Sequence, residues 1–385
     1  MVEAPGLLEA EAQSLVPGLK RRVGGGHAHM VTLANLHKFI EKGHHITVIG
    51  PSPYHYYSGM GPGMLGKIYT PEDIRFATKH AVEKQGGTFV SGKAVRVDPE
   101  GKTLFLESDV SFPYDVVSFN VGSYVPATLV KDDGKDIYSV KPIEKLINAR
   151  TRILELASQK KIAISIIGGG PSAAEIAGNV WGLTWNLGKN MPEIRIFAGE
   201  NFMSRFPDNI RRKVMVSLTK RHIEILEPGY VKEIKTGHIT LESGKNYKTD
   251  VIFLAIGIKP SPIFEESGLP TGPDGGLLVN KYLQSTEYPE IFGGGDCIYF
   301  KDRPLDKVGV YAVRENPLLY HNLMASLEET DLMPFDPGGD YLLIFNMGDG
   351  TGVLRKKWLL FGGRLAFKIK NYIDRKFMKK FQSVE

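Results

Sequence analysis

The hydrophobic pattern of residues 160–180 predicts a buried strand, a glycine turn and a helix in succession. Residues 162–167 form an apolar run between two lysines and three glycines, which is typical of a strand in a parallel sheet. Residues 171–180 then carry small side chains, which favour a helix packed closely on a sheet. These small residues are Ala173, Ala174, Ala177 and Gly178.

The glycine turn has the spacing Gly168-x-Gly170-x-x-Ala173. In a dinucleotide-binding turn the first glycine allows the tight turn, the second lets the backbone approach a pyrophosphate, and the small third residue lets the helix lie on its strand. The helix N-terminus adds free N–H groups and the positive end of the helix dipole. We therefore predict a dinucleotide site here in preference to an empty βαβ turn.

A second turn of the same kind precedes it by 144 residues, because Gly24-Gly25-Gly26 repeats the three glycines and residues 31–41 again have a helical pattern. Two such units predict two nucleotides that face each other and exchange electrons. The first unit departs from the pattern, since its strand at 19–23 contains two arginines and His29 stands at the third position. His27 and His29 are too closely spaced to share a helix face, so we predict residues near a phosphate rather than a metal pair.

Further short apolar segments complete an α/β pattern. The strand at 46–49 ends near Ser52, which stands where an acid usually binds the ribose. The glycine- and aromatic-rich segment 54–66 is typical of a loop laid over a flat ring. Other predicted strands lie at 87–97, 103–107, 114–121, 194–197, 224–226, 231–235, 238–242, 251–255, 342–345 and 358–361, and helices at 143–157 and 308–327.

Composition limits the classes of protein. The chain has 385 residues, 42% hydrophobic and 24% charged, which suits two or three globular domains. Its single cysteine, Cys297, excludes an intrachain disulfide and fits a reducing, cytoplasmic compartment. No apolar run is long enough to span a membrane. Residues 1–18 lack the pattern of a signal peptide and are expected to be a mobile tail or an added cap.

The net charge of +5 is concentrated near the C-terminus. Residues 364–381 carry seven basic side chains against Asp374 alone, so we expect no general nucleic-acid surface. The same segment has an apolar stripe at four-residue steps, which favours an interfacial helix on anionic lipid. The alternative is a helix whose stripe docks on the protein or on the partner of a homodimer. The stripe is Leu365, Ile369, Ile373, Phe377 and Phe381.

These motifs, in this order, resemble the flavoproteins with two dinucleotide-binding domains, the pyridine nucleotide–disulfide oxidoreductase superfamily. Residues 24–30 match the start of its FAD site, 161–178 its NAD(P)H insert, 251–257 the strand leaving that insert, and 291–297 the second FAD contact. The resemblance implies two Rossmann-like domains of three-layer ββα type and a small C-terminal region ending in an amphipathic helix.

The implied division of the chain is a tail at 1–18, an FAD domain at 19–142 and 265–330, an NAD(P)H domain at 143–264, and a C-terminal region at 331–385. The implied FAD-binding residues are Gly24, Gly26, His27, His29, Ser52, Val95, Gly122, Asp296, Val310 and Tyr311, with Asp296 on the ribityl chain. The implied NAD(P)H-binding residues are Gly168, Gly170, Pro171, Ser172, Glu175 and Gly257. No metal site is predicted.

Within the superfamily the chain is similar to the type II NADH dehydrogenase and sulfide:quinone reductase branch. It is most similar there to the NADH-dehydrogenase-like domain fused to selenide, water dikinase, through GGGHAHM, YYSGMGPG, KVGVYAVRENPLLYHNL and the closing GDGTGVLRKKWLLFGGRLAFKIKNYIDRKFMKKF. One cysteine cannot form the pairs of disulfide or sulfide:quinone reductases. This leaves electrons entering from NAD(P)H and leaving to a quinone, a protein or oxygen.

The resemblance also implies roles for two catalytic candidates. Glu175 matches the glutamate near nicotinamide and flavin, against the alternative of a solvent-facing helix residue, and Lys307 would offset charge on reduced flavin, against a surface lysine. The helix start at Val310 and Tyr311 would direct its dipole at the flavin. His321 is interpreted as a packed helix residue. The segment 311–316 replaces the glutamine-rich quinone motif of type II NADH dehydrogenases.

The sequence thus predicts an FAD enzyme that oxidises NADH and reduces a quinone at a membrane surface. NADH is favoured over NADPH because residues 198–200 offer no base for a 2′-phosphate, although Arg205 lies close in sequence. The alternatives are a reductase that acts away from the membrane on a protein or on selenium or sulfur compounds, and a nucleotide-sensing flavoprotein with little turnover.

Overall fold

The computed structural model describes residues 26–385, so the predicted strand at 19–23 and Gly24 of the first turn lie outside the described residues. The strands are β1 Thr47–Gly50, β2 His55–Tyr56, β3 Arg75–Phe76, β4 Thr88–Ser91, β5 Ala94–Asp98, β6 Thr103–Leu106, β7 Ser111–Pro113, β8 Val117–Phe119, β9 Ser123–Tyr124, β10 Ile137–Ser139, β11 Ala163–Ile167, β12 Glu193–Phe197, β13 Glu224–Leu226, β14 Val231–Lys235, β15 His238–Leu241, β16 Asn246–Lys248, β17 Val251–Leu254, β18 Lys259–Pro260, β19 Leu277–Val279, β20 Ile291–Gly293, β21 Ile298–Phe300, β22 Leu343–Asn346, β23 Gly352–Lys356 and β24 Leu359–Gly363.

The α-helices are α1 Met30–Ala34, α2 Leu36–Ile40, α3 Gly61–Leu65, α4 Thr78–Lys84, α5 Lys145–Gln159, α6 Pro171–Thr184, α7 Asp208–Thr219, α8 Ile263–Glu266, α9 Gly309–Glu328 and α10 Arg364–Gln382. Short 3-10 helices lie at His27–His29, Ser58–Met60, Glu72–Ile74, Gly188–Asn190 and Gly295–Cys297.

A five-stranded parallel sheet in the order β10-β17-β11-β12-β13 forms the centre of the nucleotide-binding unit predicted at 143–264. Its middle strands are almost wholly apolar and buried, as the hydrophobic run predicted. Because β10 pairs with β17, this sheet includes residues 137–139, which the predicted boundary at 142 assigned to the other domain. The antiparallel strands β14, β15 and β16 form a separate small sheet in the same region.

The other nucleotide-binding unit is built from parallel strand pairs, β1 with β4, β8 with β20, and β19 with β21, together with the antiparallel sheet β5-β6-β7. The single strand predicted at 87–97 is two strands, because β4 pairs with β1 whereas β5 pairs with β6. The helix predicted at 31–41 is likewise broken. Asn35 leaves helical geometry between α1 and α2, and its side chain donates to the carbonyl of Val31 over 2.8 Å.

The C-terminal region is a three-stranded antiparallel sheet, β22-β23-β24, with α10 packed on it. The buried residues of α10 are Ala366, Lys370, Asp374, Met378 and Phe381. The predicted stripe is therefore not one continuous face, since Phe377 and Phe381 pack on Phe76 whereas Leu365 and Ile373 stay exposed. No helix within residues 26–385 is both long enough and apolar enough to cross a bilayer.

Candidate functional site

The second glycine turn has the geometry that a bound dinucleotide needs. Gly168 has φ +135°, and a Cβ on it would lie 2.2 Å from the carbonyl oxygen of Ala255, so a side chain is excluded there. Gly170 caps α6, and a Cβ on it would meet no atom within 4 Å. Ala173 is fully buried where α6 lies on its strand. The turn therefore leaves open space directly at the N-terminus of a 14-residue helix.

The remaining residues assigned to this turn surround the same space. Pro171 is the first residue of α6, where its missing N–H costs nothing, and Ser172 is exposed beside it. Gly257 follows β17 with φ +35° and open space at its Cβ position. The ends of β11 and β17 adjoin, because Gly168 contacts Ala255. These residues, predicted from one fingerprint and one strand end, are thus brought together.

Glu175 turns from α6 toward the C-terminal region rather than toward solvent. Its carboxylate accepts a hydrogen bond from the backbone N–H of Asn346 on β22 over 2.7 Å. Burial raises its pKa to about 7, while Lys370 and the Asn346 N–H oppose that rise and Asp374 adds to it. Glu175 can therefore exchange a proton near neutral pH, and its position is linked to β22 and α10.

Lys370 and Asp374 form a buried ion pair that the sequence analysis missed. The Lys370 ammonium lies 2.7 Å from the Asp374 carboxylate and donates to the carbonyl of Gly59 over 2.9 Å. The Tyr57 hydroxyl donates to the same carboxylate over 3.4 Å. The sequence prediction includes Lys370 among the basic residues of a helix on lipid. That assignment is wrong for Lys370, because this residue is only 9% exposed. The sequence signal for this pair was the i, i+4 spacing of Lys370 and Asp374, the one acidic residue of the helix.

The described part of the first turn contains buried polar atoms without partners. Within residues 26–385, His27 Nε2 and Asn120 Nδ2 are buried and have no hydrogen-bond partner. They lie in adjoining segments, because a Cβ on Gly26, the residue before His27, would be 2.5 Å from the side chain of Asn120. Buried polar atoms are almost always satisfied in folded proteins. The phosphate and carbonyl oxygens of a dinucleotide would supply acceptors, so these residues fit such a group.

His29 lies in the core beside the first turn. Its ring is 2% exposed, and Nε2 lies 2.6 Å from the Ser118 hydroxyl on β8. Its backbone N–H bonds back to Gly26 over 2.9 Å. His29 thus contacts β8 from the first turn, and its place near a phosphate stays a prediction.

Asp296 lies in a charged cluster with two residues that the sequence analysis had not assigned. Lys141 forms a short ion pair with its carboxylate, and the Ser123 hydroxyl donates to it over 2.9 Å. The adjacent Gly295 N–H donates to the carboxylate of Glu315, whose pKa burial raises to about 7. The cluster thus contains two carboxylates beside α9: that of Asp296, which is paired with Lys141, and that of Glu315, whose pKa is near neutrality.

Lys307 and Tyr311 line a small cavity together with Asp296 and Glu315. The Lys307 ammonium is 2.9 Å from Asp274 and donates to the carbonyl of Ile298. It is therefore a paired, mostly buried group and not a surface lysine. Val310 occupies the first turn of α9 beside Tyr311 but does not line this cavity.

Three further predicted FAD residues lie at strand ends or in a different sheet. Ser52 follows β1, and its hydroxyl accepts from the N–H of Tyr54 over 3.1 Å. Gly122 has φ +67° with open space at its Cβ position, as a backbone approach to a ligand requires. Val95 is half-buried in β5 of the antiparallel sheet, and it is distant from both glycine turns in the sequence.

The chain is similar to known proteins over most of its length. The family model described as pyridine nucleotide-disulphide oxidoreductase matches residues 23–324. The chain is similar to demethylphylloquinone reductase NdbB of Synechocystis, with 25% identity over 70% of each chain. It is 26% identical to ferroptosis suppressor protein 1 of Taeniopygia guttata over 74% of this chain and 75% of that one. A Bacillus subtilis nitrite reductase [NAD(P)H] is 26% identical over 71% of this chain, which spans only 34% of its length.

Solved structures show the same fold. NDH2 from Plasmodium falciparum in complex with NADH superposes with a TM-score of 0.81 at 15% identity, over 94% of this chain and 97% of that one. Sulfide:quinone oxidoreductase from Aquifex aeolicus superposes with a TM-score of 0.75 at 16% identity, over 95% and 92%. The predicted α/β fold with two Rossmann-like units is confirmed.

Proposed function

Because the chain belongs to the pyridine nucleotide-disulphide oxidoreductase family, we propose that it transfers electrons from NADH through FAD to a quinone. It is an FAD-dependent NAD(P)H oxidoreductase with both cofactors. The choice of acceptor is the proposal. FAD supplies the two-electron chemistry when bound. The overall reaction converts NADH, one proton and a quinone into NAD⁺ and a quinol.

The observation that carries the proposal is that α10 joins both nucleotide-binding units to the surface. Its inner face reaches Glu175 through Lys370 and Asp374, and Tyr57 through Asp374. Its outer face exposes apolar and basic side chains to solvent. An acceptor that arrives along this helix would meet a buried polar cluster beside the NADH turn. The relatives named as quinone reductases favour the same acceptor.

The described residues also suggest what each group does in the reaction. Gly170 and the first N–H groups of α6 would bind the pyrophosphate of NADH. Glu175, with a pKa of about 7, would position the nicotinamide side of the site and exchange a proton there. Asp296, paired with Lys141, would hold a hydroxyl of FAD. Lys307 would add positive charge near the flavin.

NADH is the proposed donor because the end of β12 offers an acid and no base. Glu200 is exposed three residues after that strand and would accept from the ribose hydroxyls. The buried thiol of Cys297, whose pKa burial raises to about 12, offers no nucleophile, so a disulfide substrate is not proposed. The finer similarity to the domain fused to selenide, water dikinase remains a prediction.

We propose further that the protein binds a membrane surface through its C-terminal region. Trp358 at the tip of the β23–β24 hairpin is 90% exposed, next to Lys356 and Lys357. Leu365 and Tyr372 are 62% and 67% exposed on α10 among its basic residues. Aromatic and basic groups of this kind favour the interface of an anionic bilayer. A homodimer in which these residues meet is the competing proposal.

Removal of residues 364–385 would not test this surface, because α10 buries Met378 and Phe381 in the core. The variants Trp358→Ser and Leu365→Ser change only exposed positions. We expect both to reduce cosedimentation with phosphatidylglycerol vesicles without lowering thermal stability. Equal binding to pure phosphatidylcholine, or a dimer that the variants dissociate, would contradict the lipid proposal.

The reaction is tested by anaerobic stopped-flow absorbance. Mixing the holoprotein with NADH should bleach the flavin band near roughly 450 nm, and a soluble quinone should then restore it. If oxygen restores the flavin band and the quinone does not, the quinone is rejected as the acceptor while the oxidation of NADH by flavin still stands. A yellow protein that neither NADH nor NADPH bleaches would reject the dehydrogenase function and favour a nucleotide-sensing role.

A further inference from the structure

Two histidines from distant parts of the chain are in direct contact at the first glycine turn. His27 follows Gly26, and His55 begins β2. His55 Nε2 lies 2.9 Å from His27 Nδ1, and the two rings meet edge to face with centroids 4.5 Å apart. The His55 ring lies parallel to Phe76, its partner residue in the β2–β3 ladder. The contact is therefore held by the sheet.

Both imidazoles are uncharged near neutral pH. Burial lowers the pKa of His55 to about 4. Burial, reinforced by His55 and by the nearby Lys141, lowers the pKa of His27 well below its ordinary value. A neutral imidazole carries one proton, on one of its two nitrogens. The hydrogen bond between the rings therefore requires one ring to donate and the other to accept.

The other parts of His27 are also fixed. The Asn316 amide donates to the carbonyl of His27 and accepts from the N–H of Val31 over 2.8 Å. The ring of Tyr57 packs on that of His27 with centroids 5.2 Å apart. Its Nε2 is buried and has no hydrogen-bond partner among residues 26–385. The contacts with His55 and Tyr57 thus fix the ring, and its Nε2 is left for a ligand.

We infer that His55 is a positioning residue that donates to His27 Nδ1 and so holds His27 as a neutral Nε2–H donor for FAD. This inference rests on the proposed function. The reverse arrangement would leave Nε2 as a bare acceptor opposite a cofactor whose phosphates and ring carbonyls are themselves acceptors. A neutral donor also adds no charge next to the Lys141–Asp296 pair. The hydrogen bond of the second ring fixes the tautomer of the first.

The tautomer is measurable in the oxidised holoprotein without NADH or acceptor. Ring ¹⁵N shifts in protein labelled at its ten histidines distinguish Nε2–H, Nδ1–H and the imidazolium. We expect the signal that disappears in His27→Phe to be that of an Nε2–H tautomer at pH 7. In His55→Phe, which keeps an aromatic ring but no donor, that signal should become a mixture. An Nδ1–H or imidazolium signal in the wild type would overturn the inference.

A double-mutant cycle tests whether His55 acts through His27. His55→Gln keeps a donor in the place of Nε2 and should retain FAD as the wild type does. His55→Phe should weaken FAD binding roughly three- to tenfold, the value of one net hydrogen bond. His27→Phe should weaken it at least as much, and the double variant no more than His27→Phe alone. Additive losses would show two independent effects and overturn the inference.

Two controls separate other causes of failure. Thermal unfolding of each variant shows whether weak FAD binding reflects a damaged fold, and His55→Gln supplies a folded comparison if His55→Phe unfolds. Stopped-flow reduction by NADH tests the proposed function on the wild type alone. A wild type that binds FAD without NADH reduction would reject that function and leave the histidine result standing. A wild type that binds no FAD would overturn both.

Discussion

Each of the two glycine turns has three consecutive glycines, but the two turns are held in place in different ways. The turn at Gly168 is held through its own backbone, by a positive φ, a close contact with the backbone of Ala255 and a continuous 14-residue helix. The described part of the turn at Gly26 precedes two five-residue helices. That turn is held from a distance, by Asn316 on α9 and by His55 on β2.

This difference explains why one turn matches the dinucleotide fingerprint and the other departs from it. A turn whose backbone packs directly on a neighbouring strand must keep glycine and alanine at fixed positions. A turn held by side chains from other elements can accept His29 at the third position, provided that α9 supplies the missing contacts. The same turn then offers buried polar atoms to its cofactor. The second turn should therefore be more sensitive to substitution of its own glycines, and the first turn to substitution of side chains on other elements.

The largest effect is expected for Gly168→Ala. The added Cβ would meet the backbone of Ala255 at a strained φ, so we expect a loss of about 4 kcal/mol in the free energy of unfolding. Gly170→Ala is the matched control, since its backbone is extended and its Cβ position is open. It should keep stability within about 1 kcal/mol but weaken NADH binding. Urea unfolding and NADH titration measure both, and equal destabilisation by the two variants would contradict the importance of this backbone contact.

A distant substitution should damage the first turn instead. Asn316→Ala leaves the N–H of Val31 without its partner and removes one of two hydrogen bonds to the carbonyl of His27, which keeps that from the N–H of Met30; we expect a cost of about 2 to 3 kcal/mol and the release of FAD. Asn35→Ala removes only a local bond and should cost less than about 1 kcal/mol. Denaturation and flavin fluorescence provide the readout. Unchanged FAD binding in Asn316→Ala would show that the turn does not depend on α9.

The second turn could be predicted from sequence because its determinants are consecutive. The apolar strand, the glycines and the small helix residues lie within about twenty positions, and each has a direct physical meaning. Four of the five strands of the parallel sheet were predicted for the same reason, whereas β10 was not. The start of the helix at 143–157 and the ends of strands shifted by a few residues, because hydrogen bonds rather than hydrophobicity end an element.

The polar contacts of the site could not be predicted, because they join residues far apart in the chain. The contact of His27 with His55 and that of Glu175 with Asn346 depend on tertiary packing that no local pattern contains. Lys370 shows the limit most clearly. Its sequence context of basic residues indicates a surface, whereas its i, i+4 partner Asp374 draws it into the protein. Charge pattern alone does not distinguish a buried pair from an exposed one.

An intermediate effect is expected from the two carboxyls that belong to the two turns. The pKa of Glu175 and that of Glu315 are each raised by burial from 4.5 to about 7. A carboxyl with a raised pKa in the folded chain stabilises it when protonated, and this contribution is lost as pH rises from about 4.5 through 7. Glu175→Gln should therefore raise the free energy of unfolding by about 2 kcal/mol at pH 8 and change it little at pH 4.5.

Glu315→Gln is the parallel variant for the first turn and should show the same sign. Its amide can still accept from Gly295, just as that of Glu175→Gln can accept from Asn346. Urea unfolding across this pH range measures both. A variant that is less stable than the wild type at pH 8 would show that the carboxylate is stabilised by its neighbours, Lys370 for Glu175 or Lys307 for Glu315.

The smallest effects are expected at the two ribose positions, Ser52 after β1 and Glu200 after β12. Ser52→Ala removes a neutral acceptor and should weaken FAD binding roughly threefold, whereas Glu200→Ala should weaken NADH binding roughly fivefold. Neither should change stability by more than about 0.5 kcal/mol, because Glu200 is exposed and Ser52 bonds only to the N–H of Tyr54 in its own loop. When FAD and NADH are titrated separately, Ser52→Ala should weaken only FAD binding and Glu200→Ala only NADH binding. A loss of NADH binding in Ser52→Ala would assign the first turn to the nicotinamide nucleotide and reverse the order of the two sites along the chain.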